Sequence, residues 1–228
     1  MKIKDNIASE FDAFSENYTN DMIGCVPHYL KLMSSITENL PHNFKPAHIL
    51  DLGCGNGNVT SKLLTRFPDA NYTLLDASQE MLNLCQQQFR DASVEYVASY
   101  FKDYDFKTAH FDLIVAGFSL HHCDSDEKKE LFKKVYLSLK NGGIISVTDL
   151  MISKDNPKHK KLLKKWRSFV NSNFPDGEKW KWLLEHYNEF DKPDNYKDQI
   201  EWLKDAGFRN VKITTQEGYW IHLQVVKD

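Results

Sequence analysis

Short apolar runs alternate with amphipathic stretches over residues 47–150. The apolar runs predict buried strands near 48–52, 72–75, 94–98, 111–116 and 143–149. Between the strands, apolar residues at helical spacing predict helices near 58–66, 78–89 and 125–139. Because each strand is followed by a connecting segment that crosses the sheet, the pattern predicts a parallel sheet with helices on both faces.

The flanking segments have patterns of their own. Residues 3–40 predict two helices with a bend before Pro27, and the first of them carries Ile7, Phe11 and Phe14 at helical spacing. A basic amphipathic helix opens the segment that follows the fifth strand, and the chain ends in a helix that stops at Gly207 and a strand pair. We therefore predict one domain over 1–228, with an N-terminal helical cover (1–45), a core (46–150), a helical insertion or lid (151–194), and the last helix and strand pair (195–228).

A glycine-rich turn follows the first strand, in the sequence ILDLGCGNG. Gly53, Gly55 and Gly57 alternate there, and glycine is needed where φ is positive or where a ligand lies against bare backbone. The turn lacks the Gly-Lys-Ser/Thr of a Walker phosphate loop. Asp51 precedes the first glycine by two residues and suits a cationic group better than a pyrophosphate. This points to the amino-acid end of S-adenosylmethionine.

Asp76 is the second marker, at the end of the next apolar run in YTLLDAS. An acid about 20 residues beyond such a turn suits a ribose diol, because one carboxylate can accept from both hydroxyls. Ligands of parallel sheets bind at the carboxyl ends of the strands. We therefore expect Gly53–Gly57, Asp76, Ser99–Phe101 and Ala116–Phe118 along one rim.

Five motifs, DLGCGNG, LLDAS, FDLIVAGFSLHH, LKNGGIISVTD and LKDAGF, together resemble those of the class I S-adenosylmethionine-dependent methyltransferases. Within that family, the N-terminal segment FSENYTNDMIGCVPHYLKLM most resembles the small-molecule type. The resemblance covers nearly the whole chain. It implies a Rossmann-like α/β fold, with a seven-stranded, mostly parallel sheet and an antiparallel last strand. It also implies S-adenosylmethionine as cofactor and in-line SN2 transfer of its methyl group to a small-molecule acceptor. Such chemistry depends mainly on proximity, alignment and exclusion of water, so no obligatory triad is expected.

The resemblance also implies roles for single residues. Tyr18 lies over the methionine end of the cofactor, or else packs its segment onto the sheet. Met81 lies against the adenine, unless it is a helix core residue. Tyr100 replaces an Asp that accepts from the adenine amino group in relatives, and a shifted register would use Asp103 instead. The predicted cofactor-binding residues are Tyr18, Asp51, Gly53, Gly55, Asp76, Ala77, Met81, Ser99, Tyr100, Phe101 and Phe118.

His121 and His122 follow the fourth strand, before a Cys-Asp pair. Adjacent ligands on one short segment rarely face one ion, and the sequence shows no second cluster, so no metal is expected. His121 is the candidate catalytic residue, with His122 as the alternative, because imidazole suits proton removal near neutral pH. Asp149, at the end of the fifth strand, is predicted to hold an acceptor or to cap the next segment. The absence of an Asn/Asp-Pro-Pro-Tyr motif argues against methylation of DNA amino groups.

The composition of the chain limits the classes of molecule that we expect it to bind. The net charge of −3 gives no general attraction to nucleic acid or anionic lipid. No signal-type segment and no apolar run of about 18 residues is visible, so cytoplasmic placement is expected. The four cysteines form no close pair that would suggest zinc or disulfides. We expect a small-molecule acceptor, no nucleic acid and no membrane, with monomer and homodimer both open.

Three alternatives stand beside this prediction. A nicotinamide oxidoreductase is disfavoured by Asp51 and by the lack of an exact Gly-x-Gly-x-x-Gly. A catalytically inactive or regulatory S-adenosylmethionine-binding protein would show the same motifs. The carboxy-S-adenosylmethionine synthases of tRNA modification also resemble the chain, but they carry an Arg before Pro27 where this chain has Gly24 and Cys25.

Overall fold

The structure, a computed structural model, describes residue 8 and residues 17–228. Its strands are His48–Leu52 (β1), Asn71–Asp76 (β2), Val94–Ala98 (β3), Phe111–Gly117 (β4), Leu139–Leu150 (β5), Lys212–Glu217 (β6) and Trp220–Val226 (β7). These strands form a seven-stranded sheet in the order β3-β2-β1-β4-β5-β7-β6. The pairs among β1 to β5 are parallel, and β7 lies antiparallel between β5 and β6. The predicted fold class is confirmed.

Eight α-helices accompany the sheet in the described residues. They are Tyr18–Cys25 (α1), Tyr29–Glu38 (α2), Asn58–Arg66 (α3), Gln79–Gln88 (α4), Ser125–Ser138 (α5), His159–Asn173 (α6), Glu178–Glu189 (α7) and Tyr196–Asp205 (α8). Side-chain caps explain two starts: Ser78 caps α4, and Asp124 forms a capping box with Glu127 at α5. The helix predicted around Phe11 and Phe14 lies outside the described residues.

The fifth strand differs from its predicted bounds. The strand was predicted near 143–149, whereas β5 runs from Leu139 to Leu150. The register with β4 shifts between the pairs Phe111↔Leu139 and Leu113↔Ile144. Gly142 lies in this shift with a φ of 78°. The glycines therefore form an irregularity of the bulge type within the strand rather than a turn in front of it.

Two apolar clusters cover opposite faces of the sheet. Successive strand residues alternate between the faces, so that Ile49 joins the first cluster while Leu50 and Leu52 join the second. The first cluster includes the insertion. Trp166 of α6 meets Trp220 of β7 edge-on, with ring centroids 5.2 Å apart. The insertion is thus fixed to the sheet near the end of β5.

The far end of the insertion is also fixed. Lys128 of α5 is buried, and its Nζ donates to Lys192 O at 2.5 Å and to Asp194 Oδ2 at 2.6 Å. This pair ties the chain that follows α7 to the second face of the sheet. In the described part of the chain, no helix has the length and apolar character that a bilayer crossing requires.

Candidate active site

The carboxyl ends of β1 to β4 open into a cavity of about 670 Å³, which we call the main cavity. Residues that directly follow the strands line it, as the position of ligand sites in parallel sheets predicts. They are Gly53 and Gly55 after β1, Asp76 and Ala77 at β2, Ser99, Tyr100 and Phe101 after β3, and Phe118 and Ser119 after β4.

The floor of the main cavity is the glycine turn. Gly53 and Gly55 have φ values of 68° and 53°. A Cβ on Gly53 would lie 2.4 Å from Ser119 Cβ, and one on Gly55 would lie 3.7 Å from the Tyr18 ring. The N–H of Gly53 donates to Leu75 O, and that of Gly55 to Asp76 Oδ2, both at 2.8 Å. Because these N–H groups already have acceptors, the turn offers bare backbone rather than a phosphate-binding nest.

Asp76 forms a polar wall of the main cavity. Its Oδ2 accepts from Gly55 N at 2.8 Å and its Oδ1 accepts from Ser78 N at 2.9 Å. A carboxylate oxygen has a second lone pair, so each oxygen keeps capacity for a ligand hydroxyl. The backbone bonds hold the carboxylate in one orientation, as the prediction of a ribose contact requires.

Asp51 does not line the main cavity, in contrast to its predicted contact with a cationic group. The side chain is fully buried behind the glycine turn, where Thr60 Oγ1 donates to its Oδ2 at 2.7 Å. Burial raises the pKa of Asp51 to about 7. Any influence of Asp51 on a ligand would therefore act through the turn and not by direct contact.

Tyr18 and Phe118 separate the main cavity from a second space. Burial raises the pKa of Tyr18 well above its ordinary value, so its phenol is neutral and can donate. Phe118 has a φ of 58°, an uncommon conformation for a bulky residue. Its ring lies 5.5 Å from that of Tyr29 and 6.1 Å from that of Trp220. Strain of this kind is often found at functional sites.

The second space is a cavity of about 60 Å³, which we call the inner chamber. It shares Tyr18, Phe118 and His122 with the main cavity. Most of its other walls are apolar or aromatic side chains, namely Met22, Val26, Leu150, Trp166, Trp182, Leu183 and Trp220. Helices α1, α6 and α7 supply most of them, so the N-terminal segment and the insertion build this chamber together.

The polar end of the inner chamber is formed by His121, His122, His186 and Asp191, which we call the histidine cluster. Asp191 Oδ1 lies 3.3 Å from His122 Nδ1, 3.5 Å from His186 Nε2 and 3.7 Å from His121 Nε2. Behind it, the buried Asp149 accepts from His121 N at 2.9 Å, and its other oxygen contacts His121 Nδ1. Asp149 therefore does not line the chamber; both of its oxygens contact His121, and its Oδ1 also accepts from Leu150 N at 2.8 Å.

The two adjacent histidines differ in charge. Burial opposes a charge on His121, but the carboxylates of Asp149 and Asp191 outweigh burial and raise its pKa to about 9. Burial and then the neighbouring His121 lower the pKa of His122 to about 4. The raised pKa of His121 favours its protonated form near neutral pH, in which the ring is a poor proton acceptor. The electrostatics therefore favour His122 over the predicted His121 as the imidazole that accepts a hydrogen bond.

Comparisons with known proteins agree on the family. The family described as a methyltransferase domain matches residues 49–143. A malonyl-acyl-carrier-protein O-methyltransferase of Neorickettsia risticii is 35% identical over 119 residues, which cover 51% of this chain and 45% of that protein. A carboxy-S-adenosyl-L-methionine synthase of Helicobacter hepaticus is 22% identical over 213 residues, which cover 90% and 88%.

Solved structures share the fold. A methyltransferase of Thermotoga maritima, described as a possible histamine N-methyltransferase, has a TM-score of 0.67 at 14% identity, covering 98% of this chain and 100% of that one. Phosphoethanolamine N-methyltransferase 2 of Haemonchus contortus, solved with S-adenosylmethionine, has a TM-score of 0.64 at 15% identity. The match covers 95% of this chain and 57% of that one.

Residues 49–143 carry a methyltransferase domain, and this match together with the solved neighbours is consistent with a class I S-adenosylmethionine-dependent methyltransferase. This confirms the predicted family, the predicted enzyme class and the predicted cofactor. The methyltransferase spans less than half the length of its Neorickettsia relative and 88% of the Helicobacter one. The name of neither relative therefore fixes the acceptor of this chain.

The main cavity of the methyltransferase fits its cofactor. All predicted cofactor-binding residues except Asp51 line it, and their individual roles stay predictions. The glycine floor, which a Cβ would fill, leaves room for a ligand against the backbone. Asp76 would hold the ribose hydroxyls, and Met81, Tyr100 and Phe101 would flank the adenine. Asp103, the alternative to Tyr100 for the adenine contact, is exposed and does not line the main cavity, so nothing supports that alternative.

Other residues of the methyltransferase site were not singled out by the sequence. Ser119 lines the main cavity, and its buried Oγ donates to Leu52 O at 2.6 Å. His186 and Asp191 reach the inner chamber from α7 and the segment behind it. No local spacing marks these two, because their partners are about 65 to 70 positions away in the sequence. Only the long-range fold of the insertion brings them to the site.

Proposed function

We propose that this methyltransferase transfers a methyl group to a small-molecule acceptor bound in the inner chamber. The observation that carries the proposal is the pair of adjoining cavities, which share Tyr18, Phe118 and His122 as their common wall. A cofactor in the main cavity would place its methyl group toward that wall. The inner chamber, at about 60 Å³, is far smaller than the roughly 300–1,000 Å³ of ordinary ligand pockets, so it would admit the reacting end of a small acceptor and no folded macromolecule.

The cover over the inner chamber supports this proposal because it is built as one piece. Trp166 Nε1 of α6 donates to Cys25 O of α1 at 2.6 Å. Lys179 of α7 pairs with Asp21 of α1 at 2.9 Å. Since both segments of the cover are joined by buried or half-buried polar contacts, we infer that they close the acceptor off from water and select it.

The side chains around the chamber have separate tasks in this proposal. S-adenosylmethionine, when bound, supplies a methyl group made electrophilic by its sulfonium. Tyr18 and Phe118 exclude water and align the acceptor, which is the main requirement of the chemistry. His122 lies in the wall shared by the two cavities, where its imidazole can hydrogen-bond to the acceptor and orient it. Its low pKa suits orientation better than storage of the released proton.

A carboxy-S-adenosylmethionine synthase is the second candidate, because relatives with that name align over 90% of the chain. The Arg that the family resemblance places before Pro27 has no counterpart here. A Cβ on Gly24 would lie 2.4 Å from the Phe174 ring, which leaves no room for a long side chain. No arginine of the described residues lines either cavity. These observations support ordinary S-adenosylmethionine as the ligand.

The test is an untargeted acceptor screen with methyl-labelled S-adenosylmethionine. We expect label in the low-molecular-mass fraction of a cell extract, and none above background in its protein or RNA. Trp182→Ala, which widens the inner chamber, should change the relative kcat/KM for different acceptors and leave cofactor affinity unchanged. Trp202→Ala removes a half-buried tryptophan outside both cavities and is the matched control.

Two results would contradict the proposal. One is label that accumulates only in macromolecules. The other is the absence of turnover on every fraction by a protein that binds the cofactor, which would favour the regulatory alternative. Tighter binding of carboxy-S-adenosylmethionine than of S-adenosylmethionine would favour the synthase instead.

A further inference from the structure

Asp191 Oδ1 has unusual surroundings for a carboxylate oxygen. The residue is only 6% exposed, and three imidazole nitrogens lie 3.3 to 3.7 Å from this oxygen. Good N–H···O bonds are about 2.7–3.2 Å long. Among the residues that the structure describes, Oδ1 accepts no hydrogen bond of acceptable geometry. Three ring nitrogens are thus grouped around one carboxylate oxygen at distances longer than those of good hydrogen bonds, an arrangement that also suits ligands placed around an ion.

We propose that the histidine cluster binds a divalent transition-metal ion of the Zn²⁺ class, with His121 Nε2, His122 Nδ1 and Asp191 Oδ1 as ligands. One ligand atom from each of these residues lies within 4.8 Å of the others. Zinc binds nitrogen and oxygen at about 2.0–2.2 Å, so tetrahedral ligands lie roughly 3.3–3.5 Å apart. The separations of 3.3 and 3.7 Å from Asp191 Oδ1 are already close to that spacing.

The donor set decides the class of metal. Two imidazoles and one carboxylate suit zinc and the neighbouring transition metals. Magnesium and calcium prefer oxygen ligands and would bind weakly to a site with two nitrogen ligands. Three protein ligands also leave a coordination position open, as in catalytic rather than structural zinc sites. All three residues line the inner chamber, so that position would face the space proposed for the acceptor.

Asp149 provides the outer support that metal-binding histidines have. Its Oδ1 contacts His121 Nδ1, and its Oδ2 accepts from His121 N at 2.9 Å. The ring is thereby turned so that Nε2 faces Asp191. Carboxylates that hold a histidine in this way fix its tautomer and raise its basicity as a ligand. Asp149 would thus support metal binding by orienting the His121 ring, although Asp149 itself does not line the inner chamber.

The competing explanation is a metal-free ion-pair cluster, in which a charged His121 bridges Asp149 and Asp191. No metal was expected from the sequence, because His121 and His122 are neighbours and their third partner lies 191 − 122 = 69 positions away. Direct metal binding separates the two explanations. It can be measured without acceptor or cofactor, so its outcome does not depend on the proposed function.

The experiment uses the full chain, purified, treated with a chelator and dialysed. Co²⁺ titration should produce the visible d–d absorption of low-coordinate cobalt, saturating near one equivalent, and Zn²⁺ should displace it. His122→Gln and Asp191→Asn should abolish the absorption. Asp149→Asn should weaken binding about 10- to 100-fold, the usual effect of losing a supporting carboxylate. His159→Gln is the matched control, since this histidine of α6 pairs with Tyr187 OH outside the cluster.

Circular dichroism and thermal melting would establish that each variant is folded. If Asp191→Asn fails to fold, His122→Gln carries the comparison. The proposal is overturned if the parent gives no cobalt absorption. It is equally overturned if the parent, His122→Gln and Asp191→Asn bind Co²⁺ with the same affinity, which would indicate binding at surface histidines or cysteines.

Discussion

Replacement of Asp76 tests the assignment of the main cavity most directly. The carboxylate is held by Gly55 N and Ser78 N, at 2.8 and 2.9 Å, and it lines the main cavity. Asp76→Ala removes both the predicted ribose contact and the acceptor of two backbone N–H groups. Asp76→Asn keeps one acceptor oxygen and removes the charge. The two variants together separate loss of the ligand contact from disturbance of the glycine turn.

The magnitude follows from the kind of bond that is lost. A hydrogen bond to a charged group contributes about 1.5–3 kcal/mol. At about 1.4 kcal/mol per factor of ten, Asp76→Ala should raise the Kd for S-adenosylmethionine about 10- to 150-fold. Asp76→Asn should have a smaller effect, because a neutral amide oxygen still accepts one bond. Asp69→Ala, which removes an exposed carboxylate outside the cavity, should leave the Kd unchanged.

Calorimetric titration with two ligands gives the decisive comparison. S-adenosylmethionine carries a sulfonium charge, and its demethylated product carries the same ribose without that charge. A ribose contact predicts equal losses for both ligands in Asp76→Ala. A variant that binds both ligands like the parent would refute the ribose assignment. A loss confined to the sulfonium form would show that Asp76 instead interacts with the charge.

Three further predictions concern single residues. Tyr100→Asp should preserve or improve cofactor affinity, measured by calorimetry, because it restores the carboxylate that accepts a hydrogen bond from the adenine amino group in relatives. Unfolding or complete loss of binding would instead indicate that Tyr100 is a core residue. Lys128→Met should lower the free energy of unfolding, measured in urea, by about 3–5 kcal/mol, since it leaves the Asp194 carboxylate without its buried partner. The control is Lys129→Met on the exposed side of α5, which should leave the urea midpoint nearly unchanged. His222 is fully buried, and burial lowers its pKa from 6.5 to about 4. On acidification the unfolded chain protonates His222 before the folded chain does, so the free energy of unfolding should fall as pH drops from 6.5 to 4. The expected loss is about 3 kcal/mol at 1.36 kcal/mol per pKa unit. His222→Gln should lose less stability over the same pH range.

The core and the glycine floor were predictable because their signals are local. β1 occupies 48–52 as predicted, since an apolar run bounded by a glycine turn has few alternatives. Asp76 lies at its predicted strand end and faces the cavity. Asp51 lies behind the turn rather than in the wall of the main cavity, because a residue two positions before a turn can point to either side of a strand. Sequence alone does not tell which side is solvent-accessible.

The acceptor side was only partly predictable. Position and aromatic composition indicated that the insertion covers the site, and Trp166 and Trp182 do line the inner chamber. The histidine cluster was not foreseen, because its members come from the segment behind β4, from α7 and from the segment behind α7. Pairings of this kind depend on how an irregular insertion folds back over the sheet. No periodicity along the chain encodes that path.

The indole of Trp166 has a consequence for the kinetics of ligand exchange. It is hydrogen-bonded to α1 through Cys25 O and packed against β7 through Trp220. Two segments far apart in the chain, together with an edge of the sheet, are therefore linked at one buried side chain. Such a unit opens cooperatively, as a foldon, rather than by the fraying of a single loop. The residence time of anything held in the inner chamber would then be governed by a rare subglobal opening event, and slow amide hydrogen exchange in α1, α6 and α7 would share one rate.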